Sequence, residues 1–110
     1  MLPDRSQLYL EQILDAIGKI ELATAGLSEQ AYEQYEVKWL VERGLEIIGE
    51  ALKRLAHAAP AIEIEHSKSI IGTRNKIAHE YDVIDPAILH AVVTRHLPKL
   101  KEEIERILAS

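Results

Sequence analysis

Val37-Lys38-Trp39-Leu40-Val41-Glu42-Arg43-Gly44-Leu45-Glu46-Ile47-Ile48-Gly49-Glu50-Ala51-Leu52 decides the fold of this 110-residue chain. Val37, Leu40, Val41, Leu45, Ile48 and Leu52 recur every three or four residues, and Leu55 extends the series. They mark one face of a long helix. Gly44 and Gly49 lie inside it, each costing roughly 1 kcal/mol relative to Ala. Interior glycines of this kind predict close approach of a neighbouring backbone or side chain. Trp39 and Ile47 fall off the main stripe, which predicts cover on more than one side of this helix.

The segments on either side supply what that face needs. Leu10, Ile13, Leu14, Ile17 and Ile20 follow helical spacing after Asp4, a candidate N-cap, and Gly26 ends this first helix. Ser28 can cap a short piece leading into the second helix, which Ala58-Ala59-Pro60 breaks. A third helix starts near Ser67 and runs through Ile70, Ile71, Ile77 and Ala78 to about Tyr81. Asp85-Pro86 starts a fourth: the carboxylate accepts from free backbone N–H groups, and proline suits the first helical position. Leu89, Val93, Leu97, Leu100, Ile104 and Ile107 continue it, and Pro98, lacking an N–H, predicts a kink. No strand alternation exceeds Ala61–Ile64. The expectation is an all-α, antiparallel four-helix bundle with a kinked last helix, forming one domain over residues 1–110.

Composition narrows the chemistry. With no cysteine there is no disulfide, thiolate metal site or cysteine nucleophile, which fits a reducing cytosol. No signal-peptide order opens the chain, and no apolar run approaches the roughly 20 residues of a membrane span, so a cytoplasmic protein without membrane contact is expected. Net charge is −5, unevenly spread. Residues 1–65 hold 6 Lys/Arg against 12 Asp/Glu, whereas residues 66–101 hold 6 against 3, together with four of the five histidines. A phosphate-bearing partner meets the second half of the chain more favourably.

Within that half, Arg74-Asn75-Lys76-Ile77-Ala78-His79-Glu80-Tyr81 gathers a permanent cation, an imidazole and a phenol. Positions 70, 74, 77, 78 and 81 share one helical face, so Arg74 lies among apolar residues and should look into a cleft, a carboxylate or a second subunit. An ion pair with Glu46 or Glu50 of the second helix is the structural alternative. Asn75 and His79, four apart, share an adjoining face on which the amide can orient the imidazole. A histidine near a helix C-terminus can also be a simple cap favoured by the dipole. Other chemistries have less support. Glu63-x-x-His66 is half of a di-iron pattern without its second half. His57, His90 and His96 do not make a spaced zinc set, and no phosphate-binding glycine loop or GxSxG elbow occurs. No metal or cofactor is expected.

The Arg-x4-His-x-Tyr pattern at residues 74–81 resembles that of HEPN-domain proteins, specifically HepT-like toxin ribonucleases. Leu45-Glu46-Ile47-Ile48-Gly49-Glu50-Ala51 and Leu97-Pro98-Lys99-Leu100 extend the resemblance over essentially the whole chain. Gly44 departs from it, standing where bulkier residues are usual. The resemblance implies a metal-independent endoribonuclease acting as a homodimer, with Arg74 and His79 catalytic and Asn75 and Lys76 supporting. It also implies an RNA substrate and an MntA-like nucleotidyltransferase antitoxin that blocks the toxin by AMPylation of Tyr81. The alternative is a non-catalytic helical binding partner of a nucleotidyltransferase. Five residues apart, Arg74 and His79 point about 140° away from each other. One helix aims them poorly at a single phosphate, so a site shared between two subunits is expected.

Overall fold

The computed structural model describes residues 2–3, 5–79 and 85–110, excepting the side chains of residues 77–79. Every regular element among them is helical. Helix α1 spans Ser6–Thr24, α2 Tyr35–Ala58 and α3 Lys68–His79. Then α4 (Pro86–Ala91), a π-helical turn (Val92–His96) and α5 (Leu97–Ala109) follow without interruption as the fourth rod of the bundle. Short 3₁₀ turns at Glu29–Glu33 and Glu65–Ser67 lead into α2 and α3.

The rods alternate in direction. Residues 15–20 of α1 lie beside residues 39–47 of α2, while Gln12 and Asp15 share a cleft with Arg43–Arg54, so α1 descends as α2 rises. Likewise Arg74 of α3 meets Gly49, and Ile71, one turn earlier, lies beside Leu52–His57. The expected stripe is the core: Val41, Leu45, Ile48, Leu52 and Leu55 of α2 are buried with Leu10, Ile13, Ile17 and Ile20 of α1. Ile70, Leu89, Val93, Leu97, Leu100 and Ile104 close it from the other rods. Each such side chain contributes about 1.5–3 kcal/mol relative to exposure.

Both interior glycines of α2 mark close approaches. A Cβ on Gly44 would lie 2.5 Å from Ile20 Cδ1, and one on Gly49 2.8 Å from Arg74 Cγ. The fourth rod starts as its sequence predicts. Asp85 accepts from the Ala87 N–H at 2.9 Å, with Pro86 in the first helical position. The irregularity expected from Pro98 takes the form of the π turn just before it. There the Leu97 N–H reaches back five residues to the Val92 carbonyl, so the ladder is already shifted where proline brings no donor. At the other end of the chain, the proposed cap Asp4 lies outside the described residues, and Arg5 enters α1 with φ 67°.

One expectation fails. Trp39 (58% exposed) and Ile47 (40%) are only partly covered, and Tyr35 at the start of α2 is 75% exposed. Among the described residues, α1 lies beside Trp39 and Ile47 without enclosing them. A further core residue went unread: Tyr32, in the 3₁₀ turn, is buried and edge-on to His90, with ring centres 5.2 Å apart. Burial pushes its phenol pKa up, partly countered by a hydrogen bond with Thr24.

Two polar contacts fix the rods that carry the candidate site. Glu103 of α5 accepts from the backbone N–H groups of Glu65 (2.6 Å) and His66 (3.0 Å), pinning the entry to α3. Lys101 Nζ donates to Glu21 at 3.0 Å, tying α5 to α1.

Candidate functional site at the α2–α3 junction

Arg74 is held by its stem. The missing side chain at Gly49 leaves room for Arg74 Cβ, Cγ and Cδ against α2, all within 3.3 Å of where a Cβ would be. The side chain is 26% exposed, so its aliphatic part is covered and its guanidinium reaches an opening. That opening is a cleft of about 400 Å³ between α1, α2 and α3. It is lined by Arg43, Arg54 and Arg74 against Asp15, Glu46 and Glu50.

The guanidinium is only loosely engaged. Its Nη2 lies 3.7 Å from Glu50 Oε2, and its Nη1 donates to Asn75 Oδ1 at 3.3 Å. Its Nε is buried and has no hydrogen-bond partner among the described residues. Glu50 is shared, its other oxygen lying 3.5 Å from Arg54 Nε. Neither contact is the short, forked pairing that makes Arg–carboxylate bonds strong, and at this exposure each contributes at most about 1 kcal/mol. An anion entering the cleft can therefore compete with Glu50 for Arg74.

The other sequence-predicted residues divide as follows. Of the two acids named as partners for Arg74, Glu50 takes the role, while Glu46 pairs with Arg43 at 3.4 Å. Asn75, expected to orient His79, spends its carbonyl on Arg74 and is otherwise exposed, as is Lys76. His79 is the last residue of α3; its side chain, and all of Tyr81, lie outside the described residues. Arg54 was not singled out from sequence. Its signal was there, since it stands four residues after Glu50, the spacing of a helical ion pair.

A family model described as "Ribonuclease HepT-like" matches residues 13–107. The chain belongs to the HepT-like family. The chain is 31% identical to a protein of Caldanaerobacter subterraneus subsp. tengcongensis provisionally named an RNase, over 91% of each sequence. It is 32% identical to the "Probable ribonuclease HepT" of Thermococcus cleftensis, covering 90% of this chain and 92% of that one. A third relative, from Methanocaldococcus jannaschii and also provisionally named an RNase, is 29% identical over 91% of this chain and 84% of its own. No solved structure matches the chain. The family is one of ribonucleases, in agreement with the motif resemblance, and its match takes in all three HepT-like segments read from the sequence. Among the described residues no helix is long and apolar enough to cross a membrane.

Proposed function

We propose that this HepT-like chain is a metal-independent endoribonuclease in which Arg74 and His79 act on RNA at a site shared by two copies of the chain. The observation that carries the reading is Arg74. Its stem is seated in the Gly49 notch, and its Nη1 and Nη2 groups have only loose partners at the cleft. A cation so held can receive a phosphate without having to break a strong internal pair.

In this mechanism a ribose 2′-oxygen attacks the neighbouring phosphorus and the bond to the 5′-oxygen breaks. His79 of one copy accepts the 2′-hydroxyl proton, and the symmetry-related imidazole protonates the leaving 5′-oxygen. Arg74 neutralises the charge that builds on the non-bridging oxygens. The products are a 2′,3′-cyclic phosphate and a 5′-hydroxyl, so DNA, lacking the nucleophile, is spared. A positioned imidazole contributes on the order of 10²–10⁴-fold and one preorganised cationic contact about 10²–10³-fold. Asn75 supports the site through Arg74, to which it is bonded; exposed Lys76 adds positive potential beside it.

Regulation follows the same site. A cytoplasmic nucleotidyltransferase antitoxin of the MntA type, as in type VII-like toxin–antitoxin pairs, would transfer AMP to Tyr81. The phenol oxygen attacks the α-phosphorus of ATP and pyrophosphate leaves. Two residues from His79, the added nucleotide would occlude the cleft and offer Arg74 a competing phosphate.

The test is RNA cleavage in EDTA by the unsubstituted protein and by Arg74→Ala and His79→Ala variants that remain folded. Loss of at least 100-fold in each is expected, and undiminished cleavage in both overturns the assignment. A protein that binds nucleotide yet never cleaves RNA would instead be a non-catalytic partner of the nucleotidyltransferase.

A further inference from the structure

Past Arg74 the junction between α2 and α3 continues as a second trough of about 410 Å³. This lies within the roughly 300–1,000 Å³ usual for small-molecule sites. Its floor is apolar, built from Leu52, Ala56 and half-buried Ile71, and its rim carries Lys53, Arg54 and His57, all three exposed. Glu50 is the single acid on its lining, and it is already shared between Arg54 and Arg74. Glu50 and Arg54 also line the Arg74 cleft, so the two openings lie side by side.

We propose that this trough is a nucleotide subsite holding the RNA residue that flanks the scissile phosphate. Its base rests on the Ile71 floor and its phosphate is taken by Lys53 and His57. The inference rests on the ribonuclease reading above and extends it to substrate placement. The geometry supports it in three ways. Along α2 the positions 50, 53/54 and 57 advance one turn at a time, about 5.4 Å each, a step comparable to that between successive phosphates of an extended strand. Lys53 and His57 therefore stand about 5 and about 10 Å along the helix axis from the level of Glu50, on either side of where the next phosphate would fall. An apolar floor with a cationic rim also matches the two faces of a nucleotide. Cations near a helix C-terminus are favoured by the dipole alone. What points to a ligand is their placement along the edge of an apolar trough that leads to Arg74.

The experiment measures equilibrium binding of a fully 2′-O-methylated RNA oligomer across a salt series, using the unsubstituted protein, Lys53→Gln/His57→Gln and Ile71→Ala. Such RNA has no nucleophile, so binding is read independently of cleavage. Removing Lys53 and His57 is expected to weaken binding about tenfold and to flatten the log–log salt dependence by at least about 0.7, the increment for one single-strand phosphate contact. Ile71→Ala is expected to weaken binding severalfold without changing that slope. The cleavage rate of ordinary RNA at saturation should stay unchanged in the Lys53/His57 variant while KM rises. If the protein binds RNA in a salt-dependent way but the Lys53/His57 variant matches it in affinity and slope, the subsite is overturned and the Arg74–His79 reading stands. If cleavage survives Arg74→Ala and His79→Ala while the trough variants lose binding, the catalytic assignment fails and the subsite stands. No RNA binding by the unsubstituted protein overturns both.

Discussion

Arg74 occupies the space that a side chain on residue 49 would need: its Cγ lies 2.8 Å and its Cβ 3.1 Å from an ideal Cβ at that position. The glycine in α2 and the arginine in α3 are one structural unit. Gly49→Ala would gain about 1 kcal/mol of helix propensity but must push the arginine stem, at an overpacking cost of about 1–3 kcal/mol. The expected result is a small net change in melting temperature with a tenfold or greater fall in RNA cleavage. A variant with full activity would show that Arg74 is not positioned through Gly49.

Gly44 offers the complementary case, because its neighbour Ile20 belongs to the core and not to the site. A Cβ there would meet Ile20 Cδ1 at 2.5 Å and Cγ1 at 2.7 Å. Gly44→Ala should destabilise by about 1–2 kcal/mol after its propensity gain. Ile20→Val removes Cδ1, so the double variant should be more stable than the sum of the singles predicts. A denaturant-unfolding cycle measures this, and strict additivity would show that the two residues do not interact.

Glu103 anchors the entry to α3 by accepting from the Glu65 and His66 N–H groups. Hydrogen bonds to a charged acceptor contribute about 1.5–3 kcal/mol each when well shielded. In this partly exposed setting Glu103→Gln should cost about 1–2 kcal/mol in total, read as a drop of several degrees in melting temperature. Amide hydrogen exchange should quicken at residues 65–68 more than in α1.

Glu42 is expected to oppose folding at neutral pH. Burial raises its carboxyl pKa, Lys38 lowers it and Glu46 raises it further, with a net upward direction. A folded-state pKa above the unfolded one gives stability that is fully present below the unfolded value and lost as pH rises through the folded value. Glu42→Gln should therefore raise the melting temperature at pH 7, and the advantage should vanish as pH falls below the ordinary carboxylate range. A constant difference across that range would exclude the effect.

The bundle was legible because its signals are local. The α2 stripe, the Asp85-Pro86 start and the two α2 glycines each depend on spacing along one helix, and each reappears in the packing. What sequence could not supply depends on how helices meet. The exposure of Trp39 and Ile47 depends on how far α1 extends across them, which their own spacing does not reveal. Tyr32 escaped notice since a five-residue 3₁₀ turn has too little periodicity to show an inward face. In the site, the competition for Arg74 between Glu46 and Glu50 was decided by the register of α3 against α2. Glu103, far away in sequence, holds the entry to the helix that carries Arg74.

The π turn at Val92–His96 lets the fourth rod absorb an extra residue. Before the turn, α4 packs mainly on the 3₁₀ turn that carries Tyr32 and on α2; after it, α5 packs on α1 and on the entry to α3. Such a turn holds one residue more than a regular α-helix over the same stretch. Losing one codon there would restore a regular helix and leave Leu97, Leu100 and Ile104 on the face they now occupy, whereas a loss elsewhere in α5 would turn every later side chain by about 100°. Lineages of this protein can thus shed a residue at this turn more readily than anywhere else along the rod.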